Sequence, residues 1–181
     1  SRRKELTELT GSFPLKYTVH GIVSSNYMNA ATVRRQIDAT KAMLEVCDSI
    51  GAGILVQHSG FVRGDLPFDL AEANKREFDA LAEVGEVAAK YGVRIALENI
   101  FTIHGGEYRK TPSEVAATIR DLGHPNVVAL TDFSHAYIEC TYRGLDFMSE
   151  LRAMAPVTGH LHVHDSFGER AGQTPFYYLP E

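Results

Sequence analysis

The sequence has 181 residues, 44% of them hydrophobic and 23% charged, and its 18 Lys+Arg against 23 Asp+Glu leave a net charge of −5. That is one domain's worth of chain with enough apolar mass to bury a core, which excludes disordered and fibrous classes. The acidic balance argues against a nucleic-acid or anionic-membrane partner, and no apolar run approaches the roughly 18 residues of a membrane span.

Ser1–Thr10 reads as the closing part of a helix, and Leu15–His20 is the first of five short β-branched runs. Ala31–Ile50 then carries Val33, Ile37, Leu44, Cys47 and Ile50 at spacings near three and four, which predicts an amphipathic helix. Gly53–His58 is the second run. Leu70–Tyr91 repeats the helical spacing with Phe78, Leu81, Gly85 and Ala88, and Val93–Glu98 is the third run. Thr111-Pro-Ser-Glu114 is a capping box with proline at the first helical position; it opens a helix through Val115–Leu122 that Gly123 closes. Asn126–Asp132 is the fourth run. Leu145–Met154 predicts one more helix, stopped before Pro156, and Gly159–His164 is the fifth run.

Alternating strands and helices of this kind build right-handed βαβ units and a parallel sheet. An open dinucleotide-binding sheet would need a glycine-rich turn after its first strand, but Gly51-Ala-Gly53 precedes a strand. The α/β class is therefore read as a (β/α)8 TIM barrel. A whole barrel needs eight strands and about 250 residues. Five βα units are present, so residues 1–181 are expected to be a single barrel domain, incomplete at both ends. The two cysteines, Cys47 and Cys140, have no motif spacing and read as buried free thiols of a reducing compartment, hence a cytoplasmic protein.

The ends of the runs carry the chemistry. They finish in His20, His58, Glu98, Asp132 and one of His160, His162 or His164, each step being about the length of one βα unit. In a barrel these C-terminal strand ends converge on one mouth. Five N/O donors there point to a divalent metal such as zinc, manganese, iron or cobalt, and the lack of cysteine argues against a structural thiolate site. The three late histidines share one strand face at about 6.5–7 Å spacing, so they cannot all bind one ion. His124, in a turn, and His104, in a loop, read as structural or solvated residues.

Leu97-Glu98-Asn99, Thr131-Asp-Phe-Ser-His135 and His160-Leu-His-Val-His-Asp-Ser166 together resemble the xylose-isomerase-like TIM barrels, a superfamily that includes sugar isomerases and epimerases and the family 2 apurinic/apyrimidinic endonucleases. The resemblance runs from about Thr18 to Gly168. It implies that Glu98, Asp132 and His162 are metal ligands, that a further glutamate ligand lies on a strand outside this sequence and is not Glu181, and that His135 meets substrate or a further ion. Asn99 and Asp165 are implied to orient ligands. His20 and His58 resemble the early histidine ligands of endonuclease IV, and also occur in sugar-processing members.

The expected activity is that of a divalent-metal sugar isomerase or epimerase acting on a small keto-sugar or polyol, with Glu98 and His135 as catalytic residues. Proton transfer would pass through an enediolate stabilised by manganese, zinc, cobalt or magnesium. No strong phosphate cradle is visible, which favours a free sugar. A homo-oligomer is compatible with this reading and a membrane partner is not expected. The alternatives are an endonuclease IV-like zinc phosphodiesterase acting on abasic DNA, whose loops would use Arg63, Tyr108, Arg109 and Lys110, and a barrel without catalysis.

Overall fold

The computed structural model describes residues 2–64, 67–104 and 106–168. In chain order the elements are α1 (Arg2–Gly11), β1 (Tyr17–His20), α2 (Val33–Ile50), β2 (Ala52–His58), β3 (Phe61–Val62), α3 (Leu70–Tyr91), β4 (Arg94–Glu98), β5 (Tyr108–Arg109), α4 (Pro112–Leu122), β6 (Val127–Asp132), α5 (Phe133–Arg143), α6 (Phe147–Met154) and β7 (Thr158–His162). Residues 169–181, Glu181 among them, lie outside the described residues. No helix among the described residues is long and apolar enough to cross a membrane.

The five predicted runs form one parallel sheet in the order β1-β2-β4-β6-β7. Sheet order therefore follows chain order, as successive βα units in an arc of a barrel require. Strands β1, β4 and β6 begin one or two residues later than expected, whereas β2 and β7 each begin one residue earlier. The fifth ends at His162 because its partner β6 ends at Asp132, with which His162 is in register. Three elements were not legible in the sequence: α5 and the two-residue strands of the antiparallel pair β3–β5.

The sheet divides its side chains by the pleat. Leu55, Ile95, Leu97 and Ala129 face the helices and pack with Leu44, Cys47, Leu81, Val84, Val115 and Ile119 in the main core. The opposite face carries a smaller apolar layer of Val56, Ala96 and Leu130, flanked by Ile54 and Val128. Because side chains alternate with period two, this inner face ends in His58, Glu98 and Asp132. The metal-capable residues therefore sit as a polar rim above an apolar floor. Cys47 and Cys140 are buried and unbridged, and burial pushes both thiols up to about 11, leaving them unreactive.

The helices start and stop where local chemistry directs. Asp69 accepts the N–H groups of Ala71 and Glu72 at the head of α3, and the predicted capping box forms at α4, with Thr111 and Glu114 satisfying each other's backbone. Helix α2 begins at Val33 instead of Ala31 because the Asn29 side chain and carbonyl hold residues 31–33 in a turn. After β1, Gly21 is held against the Val56 carbonyl; a Cβ there would stand 2.4 Å from that oxygen, so only glycine fits.

One buried ion pair fastens the layers. Glu77 of α3 accepts the Gly60 N–H on one carboxylate oxygen and Lys110 Nζ on the other, and Lys110 also donates to Thr118 of α4. Both residues are almost wholly buried. Removing one partner of such a pair strands a charge at a cost of about 3–5 kcal/mol. Lys110→Met is expected to lower unfolding free energy by about that amount, measured by urea denaturation.

Candidate metal centre

All five strand ends contribute to one cluster. Its centre is Glu98, at the end of the middle strand β4 and only 1% exposed. Glu98 Oε1 lies 3.1 Å from His162 Nδ1 and 3.3 Å from His135 Nδ1. Glu98 Oε2 is 3.4 Å from His58 Nε2 and 3.6 Å from His20 Nε2, yet it is buried and makes no hydrogen bond. Asp132 sits beside it: Oδ2 is 2.8 Å from His164 Nε2 and 3.6 Å from both His162 and His135 Nδ1. The rings are close, with His20 5.1 Å from His58 edge-on and 5.9 Å from His162 stacked.

Local structure explains how these side chains are aimed. Asp132 is both the last residue of β6 and the N-cap of α5, its Oδ1 accepting the His135 N–H. This cap turns the chain from strand to helix and brings His135, three residues on, back over the strand end. The buried Asn99 amide pairs with the backbone of Asp132, its Nδ2 donating to the carbonyl and its Oδ1 accepting the N–H. It thus aligns the ends of β4 and β6. Asp165, the other residue expected to orient a ligand, is exposed, and its Oδ1 accepts the Ser166 N–H.

The electrostatics of the cluster follow from two carboxylates buried among imidazoles. Burial opposes ionisation of Glu98, but hydrogen bonds from His135 and His162 overcome it and hold the carboxyl well below the usual range. Asp132 is lowered in the same way: burial pushes up, while His162, His135 and His164 pull down. Asp132 and Glu98 together raise His162 to about 9. His58 is lowered to about 4, mainly by burial, so its imidazole is neutral and offers a lone pair. His160, one layer below the rim, is lowered by burial and by its neighbour His162.

The donor atoms fall into three overlapping groups, each with all its atoms within 4.8 Å of one another: His20, His58 and Glu98; Glu98, Asp132 and His162; and Asp132, His135 and His164. The residues fit a divalent cation. A carboxylate oxygen buried without a hydrogen bond and faced by two imidazole nitrogens is a costly arrangement for the protein alone and an ordinary one for ligands. Every residue expected as a ligand lies in this cluster. The sequence reading narrowed to His162, whereas the structure also brings His164 onto Asp132; the shared strand face of the two was the available signal.

Residues 1–176 match the family described as xylose isomerase-like TIM barrel. The chain belongs to that family. Two uncharacterised proteins of Methanocaldococcus jannaschii are 24% and 25% identical over 91% and 90% of this chain, which spans 56% and 61% of their lengths. Among solved structures, a D-tagatose 3-epimerase-like protein superposes with a TM-score of 0.77 at 22% identity, covering 92% of this chain and 62% of its own. A D-psicose 3-epimerase follows with 0.70 at 17%, covering 88% and 57%. The IolI protein, solved with a zinc atom, gives 0.67 at 22%, covering 84% and 52%. These likenesses show the fold of the xylose isomerase-like barrels, of which this chain supplies five consecutive strands.

Asp132 is the N-cap of α5 and a candidate ligand, and substitution can separate the two. Asparagine keeps an oxygen for the α5 N-cap, whereas alanine loses it at a cost of about 0.5–2 kcal/mol. Asp132→Ala is therefore expected to be less stable than Asp132→Asn by that margin in metal-free thermal denaturation, with both variants losing divalent-ion affinity by calorimetry.

Proposed function

We propose that the protein is a divalent-metal sugar isomerase or epimerase acting on a small keto-sugar or polyol. The observation that carries this reading is Glu98 Oε2, buried, without a hydrogen bond, and faced by His58 and His20 beside the Asp132–His162 pair. Membership of the xylose isomerase-like barrels and the epimerase names of similar structures support it. Glu98, Asp132 and His162 would hold the ion, with His20, His58 and His164 available around it. Bound there, a divalent ion supplies Lewis-acid polarisation of a carbonyl oxygen.

The chain's own groups do the rest. Glu98 is the base in this reading, taking the proton from the carbon next to the substrate carbonyl. Return of a proton to the same carbon from the opposite face inverts it, and return to the neighbouring carbon moves the carbonyl. His135 holds a substrate hydroxyl, its ring anchored by Asn99 O and packed on Phe101. Asn99 keeps Asp132 in place through its backbone. The cavity over the cluster, about 700 Å³ and walled by apolar groups such as Ile100, Phe101 and Ile103, matches a small molecule.

A zinc phosphodiesterase is the second reading, favoured by one observation, that three donor groups overlap as if for more than one ion. Against it, Lys110, one of the loop cations such an enzyme would turn on DNA, is buried and paired with Glu77, and Arg109 is buried in the cavity wall, where a duplex backbone does not reach.

Elemental analysis of protein purified without chelator, together with assays on keto-sugars, tests the choice. About one ion per chain and ketose turnover are expected, with Glu98→Gln lowering kcat by at least about 100-fold. Retained activity in that variant overturns the mechanism. Two or three zinc ions with cleavage of abasic DNA would replace it by the second reading.

A further inference from the structure

Arg109 is an unusual wall residue of the cavity. It lies on β5 in register with Phe61 of β3, and its guanidinium carbon stands 4.5 Å from the centre of the Phe61 ring. Its Nε donates to Glu107 Oε1 at 2.6 Å, an oxygen that also accepts the Ile103 N–H, and its carbonyl accepts Arg143 Nη2. Backbone, ring and carboxylate thus fix the side chain, which is only 6% exposed. The side-chain hydrogen bond it makes among the described residues is this one through Nε, which leaves the two terminal nitrogens to the cavity side. Arg109 lines the same cavity as His58, Glu98 and Asp132, and its charge is felt at His58.

A guanidinium has five N–H donors, and Glu107 uses one of them. What remains is the end-on fork of two terminal nitrogens, held in place by Glu107 and the Phe61 ring, in walls formed partly by Phe61, Phe101 and Ile103. Two parallel N–H groups of this kind match a carboxylate or a phosphate in bidentate fashion, and the low local polarity strengthens a charged contact over one to a hydroxyl. The fork arises from a two-residue strand pair, which no glycine-rich motif marks in the sequence.

We propose that Arg109 is a specificity residue that binds an oxyanion of the substrate, so that the site selects a keto-sugar bearing a carboxylate or phosphate over the neutral sugar. This inference rests on the sugar reading above.

The test compares D-fructose, D-fructuronate and D-fructose 6-phosphate as substrates of the metal-loaded protein, and as ligands of the EDTA-treated protein by calorimetry. One of the two anions is expected to exceed fructose at least tenfold in kcat/KM, and which one it is assigns the oxyanion. Arg109→Met is expected to raise KM for that anion at least tenfold, with a smaller fall in kcat, and to weaken its binding to the metal-free protein. Arg109→Lys keeps a cation for Glu107 but not the fork; it guards against a folding defect in the methionine variant and is expected to recover only part of the preference.

Turnover of fructose equal to that of both anions, or a preference unchanged in both variants, overturns the Arg109 assignment and leaves the sugar reading standing. No turnover of any of the three, with Arg109-dependent binding of an anion, overturns the sugar reading and retains an oxyanion site. Neither turnover nor binding overturns both.

Discussion

A carboxylate taken out of water is among the most expensive groups a fold can bury, and the arrangement around Glu98 is built to meet that expense. It stands at the end of the central strand of five, where strands on both sides can bring nitrogen donors to it. Four imidazoles reach within 3.6 Å of its two oxygens, from β1, β2, α5 and β7. Two of them bond one oxygen, and the other oxygen is left facing a pair of nitrogens without a hydrogen bond. Parallel register is what makes this convergence available, since His58 pairs with Glu98 and Asp132 with His162 across the sheet. A slip of one residue in any strand would turn its donor to the helix face.

Beneath the rim, the inner face is filled by a thin layer of Val56, Ala96 and Leu130, while the larger aliphatic core lies on the helix side. The division isolates the polar cluster from below and leaves its open side to the cavity. Asp132 joins the two scales: as strand end it enters the cluster, and as N-cap it starts α5 and fixes His135. Asn99 performs the corresponding task on the backbone, so the spacing between β4 and β6 at the site does not depend on the ladder alone.

The cavity wall is held by a second set of buried charges. Glu77 and Lys110 tie α3 to the segments around β3 and β5, and Glu107 holds Arg109 over Phe61. Glu107, Arg109 and Lys110 lie in a segment without periodic patterning, whereas Glu77 lies on the patterned helix α3. On the other side of the sheet, Leu161 and Val163 on the outward face of the β7 segment are exposed, in a chain that spans 52–62% of the similar proteins cited above.

Strand and helix identities were legible because period-two and period-3.6 patterns, a capping box and closing glycines are local properties. The strand-end donors were legible for the same reason: one βα unit per step places each at the same rim. The sequence could not show α5, because Phe133–Arg143 mixes aromatic and β-branched residues and begins directly on a strand end with Asp132 as its cap. Nor could it show β3–β5, too short to carry a period, or that Arg109 and Lys110 are buried rather than free in a loop. By itself the sequence determined the α/β alternation and the placing of His20, His58, Glu98, Asp132 and one of the late histidines at strand ends. Only the tertiary structure decided that His162 and His164 both enter the cluster, that one oxygen of Glu98 lacks a hydrogen bond, and that Arg109 faces the cavity. Those are relations between residues far apart in the chain, set by register and packing, and no local pattern encodes them.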